Sequence, residues 1–328
     1  MASHCYIHSP AVSLPDKILS NNDLSAIVDT NDQWIVERTG ISERRKLDDN
    51  QNASDLGYDA ARKCLEAAGE DVASLTHVIA ATCTPNYLSP SLACLIAGQL
   101  GAVNVMAFDI GAACAGFLYG ARVCRAFLAA EPDAKILFVC AEAMSRRVNW
   151  KDRSTCVLFG DAGAACLIDS SAADPFCSIV DVICESDGAM KDLIIVGGGT
   201  ACDYQTGEPV DEGFFISMQG RETYKQAVRQ MVAVCEKILL RNNLSIEDIN
   251  LAVPHQANLR IIEAVGARLG LKREQVFANV ANYGNTSAAS IPLALYEAGR
   301  DGAIRKGDLV LITAFGAGLT WGAALLQF

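Results

Sequence analysis

Histidine is scarce in this 328-residue chain, with four in all: His4, His8, His77 and His255. A metal site would have to be assembled from these and from cysteines at no metal-like spacing, so no metal is expected. Basic charge is also short, with 27 Lys and Arg against 38 Asp and Glu and a net charge of −11. That balance lacks the footprint phosphate backbones require, and nucleic acid is not an expected partner. No apolar run reads as reaching the roughly 18 residues a membrane-crossing helix needs. The start, MASHCYIHSPAVSLPDK, lacks the basic region and apolar core of a signal peptide. The expectation is a cytoplasmic protein that does not enter a membrane. No CxxC pair occurs either, although cysteine itself is plentiful at 13. In a cytoplasmic chain most of these thiols are expected to be small buried hydrophobes.

What the chain has in abundance is small and aliphatic side chains. Hydrophobic residues make up 51% of it and glycine counts 26, whereas aromatics are 7%. Such a composition suits helices packed closely on sheets, and the length suffices for one large domain or two ordinary ones. Strand-like apolar runs stand at 76–83, 103–110, 134–142, 249–254 and 308–315. Periodicity predicts helices over 54–68 and 221–241, the second with Ala227, Met231, Cys235 and Ile238 on one face. The alternation of the two predicts an α/β fold with a mixed or parallel sheet.

A weak internal repeat runs through the chain. SLACLIAGQLG followed by VMAFDIGAACAGFLYGARVC parallels NLRIIEAVGARLG followed by VFANVANYGNTSAASIPLAL. AKILFVCAEA then parallels DLVLITAFGA, and DAGAACLID parallels TWGAALLQF. Two copies of one α/β unit, 1–172 and 173–328, predict a five-layer α-β-α-β-α sandwich about a pseudo-two-fold axis. Loops at equivalent ends of the halves would then face one site.

Three residues stand out chemically. Cys114, in FDIGAACAGFLYG, is placed at a strand-to-helix turn, where a helix N-terminus would stabilise a thiolate and lower its pKa. Small neighbours on both sides leave room for an acyl chain. His255 follows an apolar strand in AVPHQANLRII, a position that favours function over core packing. Asn285 lies in NYGNTSAAS, the second-half counterpart of the Cys114 turn. The Gly-rich FGAGLTWG turn, with Ala317, follows a strand and could offer backbone N–H groups to an oxyanion. Together these suit thioester chemistry. Cysteine takes an acyl group, a malonyl-type donor loses CO2, and neutral His and Asn donors hold the enolate oxygen without a metal or cofactor.

The motifs NDQWIVERTGISERR, DIGAACAGF, VLFGDAGAA, PHQANLRII, YGNTSAASIP and FGAGLTWGAALLQF resemble β-ketoacyl-acyl-carrier-protein synthase III of the thiolase-like superfamily. Their order and spacing agree over essentially the whole chain. The resemblance implies a thiolase-like sandwich of two duplicated halves, a homodimer, an acyl-CoA primer, and malonyl delivered on acyl carrier protein. It implies a Cys114–His255–Asn285 triad and an oxyanion hole from the backbone of Cys114 and Ala317. Trp34 and Arg153 would sandwich the CoA adenine, Arg38 would meet the CoA phosphates, and Asn258 the pantetheine arm. Acyl carrier proteins are acidic, so a local basic patch is expected for docking, with Arg260 and Lys225 as candidates. The chain also departs from the family pattern. Ala317 stands for a glycine, Ser154 for a glycine beside Arg153, Arg221 for a smaller polar residue, and Ser89 for an aromatic that closes the partner's acyl pocket. A wider acyl pocket, and a relative acting in secondary metabolism on a different acyl group, are the readings these departures support. A non-catalytic chain-length-factor-like partner is a more remote one, since such partners lack the nucleophile.

Overall fold

A computed structural model describes residues 5–197 and 212–328. The first half supplies β1 (Tyr6–Ser13), β2 (His77–Ala81), β3 (Met106–Ile110), β4 (Ile136–Glu142) and β5 (Ala162–Asp169). The second supplies β6 (Cys177–Ser186), β7 (Leu251–Pro254), β8 (Leu309–Gly316) and β9 (Thr320–Gln327). They form one nine-stranded ladder in the order β7-β8-β9-β6-β1-β5-β4-β2-β3.

The pairing repeats. β2 lies parallel to β3 and β4, and β4, β5 and β1 continue antiparallel. In the second half β7 is parallel to β8, and β8, β9 and β6 continue antiparallel. The counterpart of β3 has shrunk to a single parallel bridge between Ala252 and Val276. The equivalent strands β1 and β6 pair through Tyr6–Ser178 and Ile7–Cys177, which joins the half-sheets. The expected division at 172/173 falls in the connection between β5 and β6.

Helices cover both faces: α1 (Asp32–Thr39), α2 (Ala53–Ala68), α3 (Leu92–Leu100), α4 (Gly116–Ala130), α5 (Gly220–Arg241), α6 (Leu259–Leu269) and α7 (Ser290–Arg300). Side chains alternate across a strand, so each strand feeds two layers. Val78, Ala80, Leu137 and Val139 pack outward with α2 and α3. Their neighbours Ile79, Ala81, Ile136 and Phe138 pack inward with α4 and α7. Val310 and Ile312 of the second half face the same central pair, while Leu311 and Leu325 face α5 and α6. The result is the expected five layers, with α4 and α7 in the middle.

The expected strands and helices are present, with some ends trimmed. The run at 103–110, for example, pairs only from Met106. One expectation is corrected. Ala113–Ala130 forms an 18-residue stretch apolar enough by composition to cross a membrane. Its apolar residues, Phe117, Leu118 and Ala121 among them, belong to the central protein layer.

The central helices begin where the two halves touch. A Cβ added at Gly316 would lie 2.7 Å from the Cys114 backbone nitrogen, and one at Gly116 3.1 Å from the Ala288 Cβ. Backbone cannot yield as a flexible side chain does. Gly316→Ala should therefore cost about 1–3 kcal/mol of stability, the usual range for overpacking. Urea unfolding measures this, and an unchanged midpoint would contradict the contact.

Candidate active site

β3 ends at Ile110 and α4 starts at Gly116, and residues 113–115 between them make one tight turn. Ala113 has a left-handed φ of 44°, and Ser287 has 50° in the corresponding turn before α7. Such a conformation costs a non-glycine residue about 1–2 kcal/mol. Its occurrence in both halves points to backbone bent for a purpose. Here the bend presents Cys114 to a cavity of about 670 Å3, which His255, Asn285 and Ala317 also line.

His255 stands immediately after β7. Its backbone N–H donates to the Thr313 carbonyl of β8 at 2.8 Å, and its ring Nδ1 lies 2.6 Å from Ser290 Oγ. Asn285 is held from the other half of the molecule. Its N–H donates to the Leu158 carbonyl at 2.8 Å, and its own carbonyl accepts from Gly160 N–H at 3.1 Å. The side-chain Oδ1 accepts from Ser287 N–H at 2.9 Å. With the oxygen so engaged, the amide NH2 is the end left for the cavity. Thr320 Oγ1 lies 3.0 Å from the carbonyls of both Ala112 and Ala317, linking the Cys114 turn to the Gly-rich turn.

The electrostatics correct one expectation. Burial pushes the Cys114 thiol up to about 12, helped by the Glu142 carboxyl and opposed by a hydrogen bond from Ser287. Desolvation outweighs the helix start, and the resting group is a thiol rather than the expected thiolate. Burial holds His255 down at about 3, so its imidazole is neutral. Glu142, wholly buried at the end of β4, accepts from Thr84 Oγ1 at 2.7 Å, Thr82 Oγ1 at 3.1 Å and Cys83 N–H at 3.1 Å. Ala288 N–H reaches it from the other half at 3.4 Å. Burial pushes this carboxyl up. Among the described residues, no group of three His, Cys, Asp or Glu side chains is placed to hold a metal.

Towards the surface the cavity is lined by Trp34, Arg38, Arg221, Lys225, Asn258 and Arg260. Arg38 and Arg153 both stack on the Trp34 ring, with Cζ 4.5 and 4.7 Å from its centroid. A planar ring between two faces needs about 7 Å, two van der Waals contacts, so Arg153 as placed leaves no room for the expected sandwich of an adenine against Trp34. Asn258 caps α6 by accepting from Arg260 N–H at 2.9 Å and donates to the Arg38 carbonyl at 3.1 Å. Lys225 pairs with Glu222 at 3.0 Å, and Arg260 lies 6.0 Å over the Tyr224 ring. Ser154 hydrogen-bonds Asp152. Ser89 is not among the cavity-lining residues of its own chain. It sits on an exposed loop beside Tyr87 and Leu88, 58% and 80% exposed. Sequence reasoning missed Cys83, Glu142, Ser287 and Ser290. The last two lie inside the YGNTSAAS turn, so their spacing from Asn285 was the available signal.

The chain has many relatives. Family models described as 3-oxoacyl-[acyl-carrier-protein] synthase III and as its C-terminal region match residues 108–188 and 239–328. The β-ketoacyl-[acyl-carrier-protein] synthase III of Nitratidesulfovibrio vulgaris (Miyazaki F) is 49% identical over 99% of this chain and 98% of its own. The protein of that name from Oleidesulfovibrio alaskensis is 48% identical over 100% of both. The crystal structure of 3-oxoacyl-[acyl-carrier-protein] synthase III from Aquifex aeolicus matches with TM-score 0.90 and 41% identity, over 99% of this chain and 100% of that one. A priming β-ketosynthase from a polyketide biosynthetic pathway matches with TM-score 0.90 and 32% identity, over 99% and 97%.

The His255 environment predicts a pH dependence of stability. Its folded value of about 3 lies below the ordinary 6.5, so below pH 6.5 the unfolded chain binds a proton that the folded chain refuses. The contribution is complete above 6.5 and is lost as pH falls towards 3, by up to about 1.4 kcal/mol per pH unit. Urea unfolding between about pH 7.5 and 5 should show a steeper loss for wild type than for His255→Asn. Equal slopes would mean that the imidazole titrates normally in the fold.

Proposed function

Since the chain belongs to the 3-oxoacyl-[acyl-carrier-protein] synthase III family, we propose that Cys114, His255 and Asn285 carry out the family's initiating condensation in this protein. It is a condensing acyltransferase of fatty acid synthesis, joining an acyl-CoA primer to malonyl-acyl-carrier-protein. The observation that carries the residue assignment is the lining of one cavity by a bent-backbone cysteine, a neutral histidine and an asparagine with its amide oxygen already engaged.

In the first half-reaction Cys114 Sγ attacks the primer thioester and expels the CoA sulfur, and the thiol proton leaves with CoA. The backbone N–H groups of Cys114 and Ala317 steady the tetrahedral oxyanion. In the second, the malonyl carboxylate departs as CO2 and its electron pair passes into an enolate. His255 and Asn285 donate to the enolate oxygen. The enolate carbon attacks the acyl-Cys114 carbonyl, and Cys114 leaves as a thiolate that is reprotonated. Departure of CO2 generates the carbanion, so no base, metal or cofactor is needed at that step.

The outer cavity is assigned to CoA, with Trp34, Arg38 and Arg153 at the nucleotide and Asn258 along the pantetheine arm. The halves 1–172 and 173–328 are assigned as the two thiolase-like units. A cytoplasmic location agrees with the free thiols of the described cysteines. A homodimer through β3 is supported by that strand's position at the sheet edge and by Met106, 51% exposed. Ser89 would then reach the partner's acyl pocket and widen it. The second reading, a secondary-metabolite synthase using a different acyl group, draws on Ser89, Arg221 and the likeness to the polyketide priming synthase at 32% identity. Fatty acid synthesis is preferred because relatives named β-ketoacyl-[acyl-carrier-protein] synthase III reach 52% identity. A chain-length-factor-like partner is disfavoured by the presence of Cys114 with both companions.

Incubation with acyl-CoA alone should acylate Cys114, as mapped by peptide mass spectrometry. His255→Ala and Asn285→Ala should each abolish malonyl decarboxylation yet leave measurable acyl transfer, and their effects should be non-additive because both hold one oxygen. Acylation at another cysteine would overturn the nucleophile assignment. Loss of acyl transfer with decarboxylation intact would overturn the other two.

Docking of the carrier is assigned to the basic rim at Arg260 and Lys225. Arg260→Glu should lower turnover with carrier-bound malonyl while sparing Cys114 acylation by acyl-CoA. Equal loss in both assays would mean misfolding or a different docking face.

A further inference from the structure

We propose that Ser290 is a positioning residue that fixes the tautomer of His255, holding its single proton on Nε2 so that the ring meets substrate as an N–H donor. The proposal rests on the reading of His255 as a donor to the enolate oxygen. It adds what makes the histidine a donor rather than an acceptor.

Ser290 is the first residue of α7 and is 2% exposed. Among the described residues its Oγ has two hydrogen-bond partners, His255 Nδ1 at 2.6 Å and Gln256 N–H at 3.4 Å. A backbone N–H only donates, so Oγ accepts from Gln256. The hydroxyl carries one proton, and Nδ1 is the acceptor that remains for it. If Nδ1 carried the proton instead, two donors would point at Oγ and the buried hydroxyl proton would have no acceptor, an arrangement buried groups avoid. Nδ1 therefore accepts, and a neutral imidazole then bears its proton on Nε2. Burial keeps the ring neutral.

Asn285 is oriented by the same device, with Oδ1 engaged by Ser287 N–H at 2.9 Å so that the NH2 is left to donate. Ser287 and Ser290 belong to one turn, and each occupies the accepting atom of a functional side chain. A ring protonated on Nε2 cannot also take the Cys114 proton through that atom. In the resting site His255 is thus a donor and not the base that activates the thiol.

The tautomer is directly observable. In protein labelled with 15N-histidine, the two ring nitrogens of a neutral imidazole differ widely in shift according to which is protonated, and His255→Asn identifies the signals. Wild type should show an unprotonated Nδ1. Ser290→Ala should turn this into a mixture of tautomers and lower kcat for malonyl decarboxylation by about tenfold, with Cys114 acylation changed by less than about twofold. Ser290→Thr, which keeps the hydroxyl, should restore both. A protonated Nδ1 in wild type overturns the proposal without any variant. So does a Ser290→Ala protein that keeps the wild-type ring signals, or one that loses acylation and decarboxylation equally. Failure of the underlying reading looks different: His255→Ala would keep malonyl decarboxylation.

Discussion

Across the pseudo-two-fold axis, the turn that carries Cys114 packs against the turn that carries Ser287, and residues without bulk set the gap between them. Gly116 meets Ala81 and Ala288, and Gly316 lies against the backbone of Cys114 and Ala115. Larger side chains there would push the halves apart and separate the thiol from its companions. The same closeness recurs under Asn285. A Cβ at Gly160 would collide with the Tyr283 carbonyl, and Gly284 takes a φ of 64°. Beneath both lies Arg44, fully buried and donating to the neutral acceptors Leu19 O, Asn21 Oδ1 and Val157 O. Burial lowers its pKa to about 10. It fastens the amino-terminal segment to the strip at 157–160 that carries Asn285.

Close packing also decides the electrostatics. Burial penalises any isolated charge, so the thiol and the imidazole rest uncharged. Neutral donors are then the economical way to meet an enolate: the negative charge appears during the reaction, where prepared N–H groups are strongest. Glu142 lies inside the wall rather than in the cavity, and burial pushes its carboxyl up. It gathers the Thr82–Thr84 loop and Ala288 of the opposite half around itself. Its position explains how the two half-sheets hold a common floor under Cys114, while its proximity adds to the upward push on that thiol.

Most of the fold was legible because a five-layer sandwich leaves a periodic trace. Each buried strand and each helix stripe repeats in the second half, so the repeat between AKILFVCAEA and DLVLITAFGA stood out. The join between β1 and β6 did not, since two backbone pairings carry no composition signal. Cys114, His255 and Asn285 could be picked out as candidates because each sits where an apolar segment breaks at equivalent ends of the halves, and the fold brings them to one cavity. The thiol's protonation state was not, because a motif shows the helix start but not the depth of burial that opposes it. Ser290 was hidden for a related reason. A serine beginning an apolar helix reads as a cap, and only the fold brings it to His255, 35 residues earlier.

Rigidity inside and softness outside follow from the two substrates. On the proposed assignment both would enter through one opening, and both carry a pantetheine arm, but only the first carries a nucleotide. Groups meant for the nucleotide must therefore yield when it is absent. The Trp34 cluster has that character. Arg153 has 46% of its side chain exposed and is held by the Asp29 backbone carbonyl at 2.9 Å, a loose 3.9 Å pairing with its carboxylate and the stack on Trp34. Exposed side chains of this kind change rotamer within picoseconds to nanoseconds, far faster than turnover. His255, by contrast, is fixed at backbone and ring by β8 and α7. On the proposed assignment a base could thus displace Arg153 from the indole face without disturbing His255. On the proposed assignment, when the acyl-carrier protein follows, the arginine would fall back and the same opening would admit an arm with no nucleotide at its end.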